Sequence, residues 1–302
     1  MTSPPATVHP CPEGAPGDGA VASHAPYGKM IDLVSAGGAT ILSGAGLSTE
    51  SGIPDYRGPT GRARRAQPMT FQDFTATQAA RQRYWARSHV GWRHVTGAAP
   101  NDGHRAVAEL ERRGLLAGII TQNVDGLHQA AGARQVTELH GSLSRVVCLD
   151  CGERTPRLRL DQRLRAANAG WAAEVAGVAG VNPDGDALLD DDQVAGFRVV
   201  DCERCGGVLK PDVVFFGENV PRPRVQDCYD LVGRSRGLLV LGSSLTVMSG
   251  LRFVRHAAKL SLPVIIVNQG TTRGDEHATA TLDAPLGATL TALVAALPAG
   301  RE

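Results

Sequence analysis

Short apolar runs recur along this chain, and each one closes on a glycine or a polar cluster. Ala39-Thr40-Ile41-Leu42 leads into Gly44-Ala45-Gly46, and Gly118-Ile119-Ile120-Thr121 leads into Gln122-Asn123-Val124-Asp125. Val136-Thr137-Glu138 is followed by Leu139-His140-Gly141, Leu238 to Leu241 by Gly242-Ser243-Ser244, and Val264 to Val267 by Asn268-Gln269-Gly270. Runs this short and this uniformly apolar fit strands buried on both faces. Val213-Val214-Phe215-Phe216 reads as a further strand of the same kind. Stretches of helical period lie between them, at 27–36, 77–95, from Asn101 or Asp102 onward, and at 224–234, 251–260 and 286–297. Alternating strands and helices of this pattern build a doubly wound parallel sheet, an α/β fold of Rossmann-like type. Ligands of such sheets sit at the carboxyl ends of the strands, where this chain concentrates its polar tips.

The most informative tip is the first, Gly44-Ala45-Gly46-Leu47-Ser48-Thr49-Glu50-Ser51-Gly52-Ile53-Pro54-Asp55-Tyr56-Arg57-Gly58. A glycine-rich turn after a buried strand brings backbone N–H groups close to an anion, so a nucleotide phosphate is expected here. A hydride-transferring dinucleotide fingerprint is disfavoured. Its third glycine would fall on Thr49, and the region of its acidic ribose ligand holds Arg62, Arg64 and Arg65 instead.

Four of the six cysteines form two C-x-x-C pairs, Cys148/Cys151 and Cys202/Cys205. Four thiolates suit tetrahedral zinc and leave no open position for a reactive water, so the metal is expected to be structural. Fifty residues, 152–201, separate the pairs. A compact ribbon has about 15–20, but the longer loop adds only about 0.9 kcal/mol of closure entropy, far less than zinc binding contributes. The resulting partition is a tail at 1–26, a Rossmann-like domain at 27–147 and 207–298 with a helical excursion at about 59–100, and an inserted small zinc-binding module at 148–206.

Composition narrows the function. A net charge of +1 over 302 residues lacks the basic bias of a nucleic-acid binder, so no direct nucleic-acid binding is expected. No apolar run approaches the ~20 residues of a membrane span. The first 26 residues are rich in Pro, Gly and Ala and hold no Lys or Arg. They read as a flexible tail, neither a secretory signal nor an arginine-rich presequence, and the expected location is cytoplasmic.

The Gly44-Ala45-Gly46 turn with Ser48, the Ser51 to Arg57 segment, Thr121 to His128, Leu139-His140-Gly141 and the two C-x-x-C pairs occur in one order that resembles the sirtuins. The resemblance runs from about Tyr27 to about Leu297. Thr49-Glu50 with Tyr56, the run Arg81 to Arg87, and Pro183-Asp184-Gly185-Asp186 resemble class II of that family, the subgroup of the human mitochondrial fourth sirtuin. Without an import presequence, a bacterial cytoplasmic member is expected.

The resemblance implies NAD-dependent removal of an acetyl or other acyl group from protein lysine, yielding nicotinamide and O-acyl-ADP-ribose. In that reaction the acyl oxygen attacks the anomeric carbon to give an alkylimidate, and a ribose hydroxyl is then deprotonated. The implied base is His140, whose imidazole titrates near neutrality when unperturbed. Asn123 is the implied orienter of ribose or water, Asp125 holds the nicotinamide carboxamide, and Gln122 contacts ribose. Gly44, Ala45, Gly46 and Thr49 line the diphosphate side, and Asp55, Tyr56 and Arg57 shape the nicotinamide pocket. Gly242, Ser243 and Ser244 meet phosphate or ribose, Asn268 with Gln269 and Gly270 meets the adenosine ribose, and Leu286 packs the adenine. The acyl-lysine peptide is implied to lie as an added strand between Phe215–Glu218 and Leu245–Val247.

His104 and His128 read as structural, and Cys11 and Cys228 carry no assigned role. Arg81 reads as part of a solvated face, while Arg83 and Arg87 share one helical face and could line a pocket for an acidic ligand. The chain departs from the family at Ser249, where Pro is frequent, and in an arginine-rich loop from Gly58 to Pro68. The Tyr and Arg pair of succinyl-removing members is not placed in its motif, so the acyl group stays open. Two alternatives accompany the deacylase reading: mono-ADP-ribosyl transfer to protein, and an NAD-sensing module without turnover.

Overall fold

The computed structural model describes residues 24–55, 68–171 and 186–298. Residues 1–23 with Cys11, the pair Tyr56 and Arg57, the loop up to residue 67, and Pro183-Asp184-Gly185 lie outside the described residues. The strands are β1 Ala39–Ser43, β2 Leu116–Thr121, β3 Val136–Glu138, β4 Gly141–Cys148, β5 Arg154–Pro156, β6 Leu209–Val213, β7 Gly237–Leu241, β8 Val264–Val267 and β9 Ala280–Leu282. The helices are α1 His24–Ser35, α2 Phe71–Ala76, α3 Gln78–Gly97, α4 Asp102–Arg112, α5 Leu127–Ala130, α6 Arg157–Ala167, α7 Asp191–Val194, α8 Arg222–Gly233, α9 Met248–Lys259 and α10 Leu286–Ala296.

Six strands form one parallel sheet in the order β3-β2-β1-β7-β8-β9. Side chains alternate across it. Ile41, Ile119, Leu239, Leu241, Ile265 and Val267 pack on one side against α1, α4 and α10. Leu42, Ile120, Leu238, Val240, Val264 and Ile266 pack on the other against α8 and α9. Both faces are covered, which explains why the sequence shows apolar runs and no polar alternation. Buried Cys228 belongs to the α8 side of this core.

Ser43 lies opposite both Thr121 and Leu241, and Leu241 lies opposite Val267. Four strands therefore end in one row, and their tips emerge level with one another. The chain leaves β1 toward β2 on one side while β7 flanks it on the other, so this row sits at the switch point of the sheet. Helix starts around the row are fixed locally. The Asn101 side chain accepts the His104 N–H at 3.1 Å to cap α4. α10 borrows its cap from afar, since Glu50 Oε1 accepts the Gly287 N–H at 3.1 Å.

Three strands form a second, antiparallel sheet in the order β5-β4-β6. This corrects the reading of Val213 to Phe216 as a strand of the parallel sheet. The strand is Leu209–Val213, and it pairs with β4. The chain leaves it where its hydrogen bonds turn elsewhere: Val214 N–H donates to His140 O at 2.8 Å, and Phe215 N–H donates to the Glu218 carboxylate at 2.9 Å. Gly217, at φ 79°, completes the turn. The strands of this sheet reach from Gly141 to Val213, on both sides of the cysteines.

α3 is the strut between the two parts, and it corrects the idea that Arg83 and Arg87 line an acidic-ligand pocket. Arg83 pairs with Asp191 at 3.0 Å, and Arg87 donates to Leu189 O at 2.7 Å. Gln82 donates to Phe197 O and the Trp85 indole to Leu209 O. Buried Arg157 on α6 lies between Trp85 and Trp92, 5.2 and 5.0 Å from their centroids, and His89 meets Asp161 at 2.7 Å. The class II motif on α3 is thus a docking face for the cysteine module.

Candidate active site

The glycines of the first tip are needed for close packing before any ligand is considered. Gly44 N–H donates to Leu241 O and Gly46 N–H to Gly242 O, both at 2.9 Å. A Cβ on Gly44 would stand 2.8 Å from Gly242 O, and one on Gly46 would stand 2.9 Å from Gly242 Cα. Gly242 itself adopts φ 60°. The tips of β1 and β7 therefore touch backbone to backbone, with Ala45 half-buried at the turn. Thr49 turns back to donate to Gly46 O at 2.9 Å, and Asp55 is half-buried at the far end of the segment.

The β2 tip is tied to both neighbours. Gln122 Nε2 donates to Ser243 Oγ at 2.8 Å, which joins β2 to β7. Asn123 Nδ2 donates to Gly44 O at 3.1 Å and to Ser48 Oγ at 3.0 Å, which joins β2 to β1. Ser48 in turn donates to Asp125 Oδ2 at 2.7 Å, and Leu127 N–H donates to Asp125 Oδ1 at 2.9 Å. Burial raises the Asp125 carboxyl above its ordinary range in spite of these two donors. Beneath this row, Ser43 Oγ bonds Thr121 Oγ1 and the His128 Nε2. The rings of His104 and His128 meet edge to face at 5.2 Å. Burial lowers them to about 3 and about 4, so both are neutral core histidines, as their sequence setting suggested.

His140 follows β3, in the turn that leads into β4. Its Nδ1 lies 2.9 Å from Gln122 O, and its Nε2 lies 2.8 Å from Ser249 Oγ. A carbonyl only accepts, so Nδ1 carries the proton and Nε2 carries the lone pair. Burial lowers the ring to about 4, with the Arg224 guanidinium acting in the same direction and the Gln122 carbonyl opposing. At neutral pH the imidazole is therefore uncharged and able to accept a proton.

The β8 tip is organised mostly on itself. Asn268 Nδ2 donates to Gln269 O at 3.0 Å and to Gly270 O at 2.9 Å. Leu286 is buried at the start of α10, where its Cδ1 would meet a Cβ on Gly242 at 2.7 Å. Ser244 is half-buried and bonds Thr246. The hydrogen bonds thus gather Gly44, Gly46, Gln122, Asn123, Asp125, Ser243 and His140 into one network, while Asn268, Gln269 and Gly270 stand at the adjacent tip.

Three residues carry more than their sequence setting indicated. Ser48 bridges Asn123 and Asp125, and its only signal was its place two residues after Gly46. Ser249 meets His140, and its only signal was the missing proline. Gly250 leaves room for the Gln122 carboxamide, since a Cβ there would stand 2.6 Å from Gln122 Oε1 and push that side chain aside.

The four thiol sulfurs lie within 4.8 Å of one another, with Cys148 to Cys205 at 3.5 Å and Cys151 to Cys202 at 3.8 Å. Zinc at about 2.3 Å from each of four tetrahedral sulfurs places them about 3.8 Å apart, so the cluster fits that ion.

Polar tips at the switch point of a doubly wound sheet, with the His140 imidazole beside them and a four-cysteine module inserted before β6, define an α/β protein of Rossmann-like type with a ligand cleft at its strand ends. The chain belongs to the Sir2 family, whose model matches residues 44–249. It is 63% identical over 262 residues to NAD-dependent protein deacetylase 1 of Streptomyces coelicolor, covering 87% of each chain. It is 48% identical over 251 residues to the mitochondrial NAD-dependent protein lipoamidase sirtuin-4 of Bos taurus, covering 82% of this chain and 78% of that one, which is consistent with class II. A solved Sir2 complex with a p53 peptide and NAD+ matches with a TM-score of 0.69 at 28% identity, over 88% of this chain and 96% of that one. Sir2 bound to acetylated peptide matches at 0.67 and 26%, over 89% and 97%.

Proposed function

We infer that this chain removes acyl groups from protein lysine and consumes NAD as it does so. The observation that carries the reading is His140, neutral and tied to the β2 tip through Nδ1–H on Gln122 O, which leaves the lone pair on Nε2, the nitrogen that faces Ser249. NAD supplies an anomeric carbon whose bond to nicotinamide breaks as the acyl oxygen attacks. Asn123 and Ser48 hold the Asp125 carboxylate in place for the nicotinamide carboxamide. Gly44, Ala45 and Gly46 present backbone to the diphosphate. His140 takes the proton from a ribose hydroxyl through Nε2. Cys148, Cys151, Cys202 and Cys205 would hold zinc as a structural ion that knits β4 to the end of the insert.

The acyl-lysine peptide docks between Phe215–Glu218 and Leu245–Val247. Two features support this. The first segment is anchored by Lys210, which bonds Glu218 Oε2 at 3.0 Å, and the second is followed by Met248, which is exposed. No described helix is long and apolar enough to cross a membrane. Four free thiols around one metal site suit a reducing compartment, which supports action in the bacterial cytoplasm.

Nicotinamide release from NAD is the direct test, measured with and without a panel of acyl-lysine peptides. Release is expected only with peptide, and the panel names the acyl group. Release without any peptide, or none with the whole panel, would overturn the reading. Transfer of label from NAD to protein that survives His140→Ala would point to ADP-ribosyl transfer instead.

A further inference from the structure

His140 is gripped at both ring nitrogens, by groups of different kinds. Gln122 O, a main-chain carbonyl on the β2 tip, holds Nδ1 at 2.9 Å. Ser249 Oγ, in the first turn of α9, holds Nε2 at 2.8 Å. Because the carbonyl fixes the proton on Nδ1, the hydroxyl must donate to Nε2. The hydroxyl's hydrogen bond goes to His140 and not to α9 itself. The first turn of a helix has no intrahelical partner for its N–H groups, so a proline at 249 would cost α9 no hydrogen bond of its own. What serine adds over the proline frequent in the family is the hydroxyl alone, and that hydroxyl points at the base.

We propose that Ser249 is a positioning residue for His140, which holds the ring in plane as a donor to neutral Nε2 and accepts Nε2–H once the ring is protonated. This rests on the deacylase reading for its role in turnover. A hydroxyl is one of the few groups able to serve both states, because it rotates between donor and acceptor. As the ribose hydroxyl docks, Ser249 swings its O–H off the lone pair. The ribose O–H bond breaks, an Nε2–H bond forms, and the ribose oxygen keeps the electron pair with which it attacks the acyl carbon. Ser249 loses no proton. The bond it then accepts from the imidazolium is charge-assisted and stronger than the one it gave to the neutral ring. It therefore favours proton uptake against two opposing influences, burial of the ring and the Arg224 guanidinium on α8.

The test compares Ser249→Ala, Ser249→Pro and Ser249→Thr with the unsubstituted full chain. Ala and Pro are expected to lower kcat for deacylation about 10-fold with KM for NAD unchanged, and Thr to stay within about threefold. The acid limb of kcat/KM is expected to move to lower pH by about 0.5–1 unit in Ala and Pro, because the imidazolium has lost an acceptor. Nicotinamide release in the presence of acyl peptide, which precedes the proton transfer, should be unaffected in its first turnover. A packing role would leave the acid limb in place and slow the first turnover as well, and either result would overturn the proposal. A readout independent of turnover is the ¹⁵N spectrum of the His140 ring in the free protein. It should report the Nδ1–H tautomer in the unsubstituted chain and a downward shift of the His140 titration in Ser249→Ala. An unshifted titration would refute the Ser249 assignment even if the deacylase reading stood, and a shifted one with no deacylation would refute only the latter.

Discussion

Lys210 offers a severe test of how the substrate segment is held. Its side chain is 4% exposed, and it reaches from β6 to the Val213 carbonyl and to Glu218 Oε2, the latter at 3.0 Å. Its ammonium lies 4.7 Å from the Phe215 centroid. Glu218 Oε2 also accepts the Phe215 N–H at 2.9 Å, so one carboxylate fixes the turn proposed to receive the peptide. Lys210→Met keeps the volume and strands the carboxylate. Removing one partner of a fully buried pair costs about 3–5 kcal/mol. Glu218 is 24% exposed and regains some hydration, which lowers the expected cost to about 2 kcal/mol, with about 0.5–1 kcal/mol more from the lost cation–π contact. Urea unfolding of Lys210→Met, Glu218→Gln and the double variant forms a cycle. The double variant should be more stable than the sum of the singles predicts, by about 1.5–2 kcal/mol. KM for acyl peptide should rise in Lys210→Met while NAD binding holds. Additive singles, or a Lys210→Met cost below about 0.5 kcal/mol, would refute the reasoning that this pair is coupled and desolvated.

Three further outcomes are expected. Gly44→Ala forces its Cβ to within 2.8 Å of Gly242 O, so it should cost about 1–3 kcal/mol by overpacking and weaken NAD binding by calorimetry. Removal of zinc by a chelator should lower Tm and abolish activity, and readdition should restore both; full activity of metal-free protein would refute the structural role. Because burial lowers His140 to about 4, its base form persists well below the ordinary imidazole range. The acid limb of kcat/KM should accordingly fall near pH 4 and not near 6.5, with circular dichroism confirming the fold at each point, and a limb at 6.5 would contradict the buried setting.

The parallel sheet was readable because burial on both faces leaves apolar runs that nothing else explains. Its tips were readable because glycine, Asn and Asp cluster where chains turn. The antiparallel sheet was not. Val213 to Phe216 is as apolar as any strand, but Val213 and Phe215 are buried in the core of the cysteine module, and the Glu218 carboxylate ends the strand pairing. β9, three residues long, carries no periodicity of its own and exists through pairing with β8. Arg83 and Arg87 of α3 could be read as a ligand face because their partners, Asp191 and Leu189, lie about 100 residues away. Asn123, Asp125 and His140 were visible as tip residues, whereas the serines that hold them are too common a residue type to stand out.

Gln122 orients the His140 ring in a way that mutation cannot easily reach. Its side chain spans to Ser243, but the atom that orients His140 is its main-chain oxygen. Every residue at position 122 would supply that oxygen, so a change there can alter the link to Ser243 while the tautomer of His140 stays unchanged. The cross-strand contact and the tautomer of His140 are thereby separable within a single residue: the side chain can change the first while the main chain keeps the second.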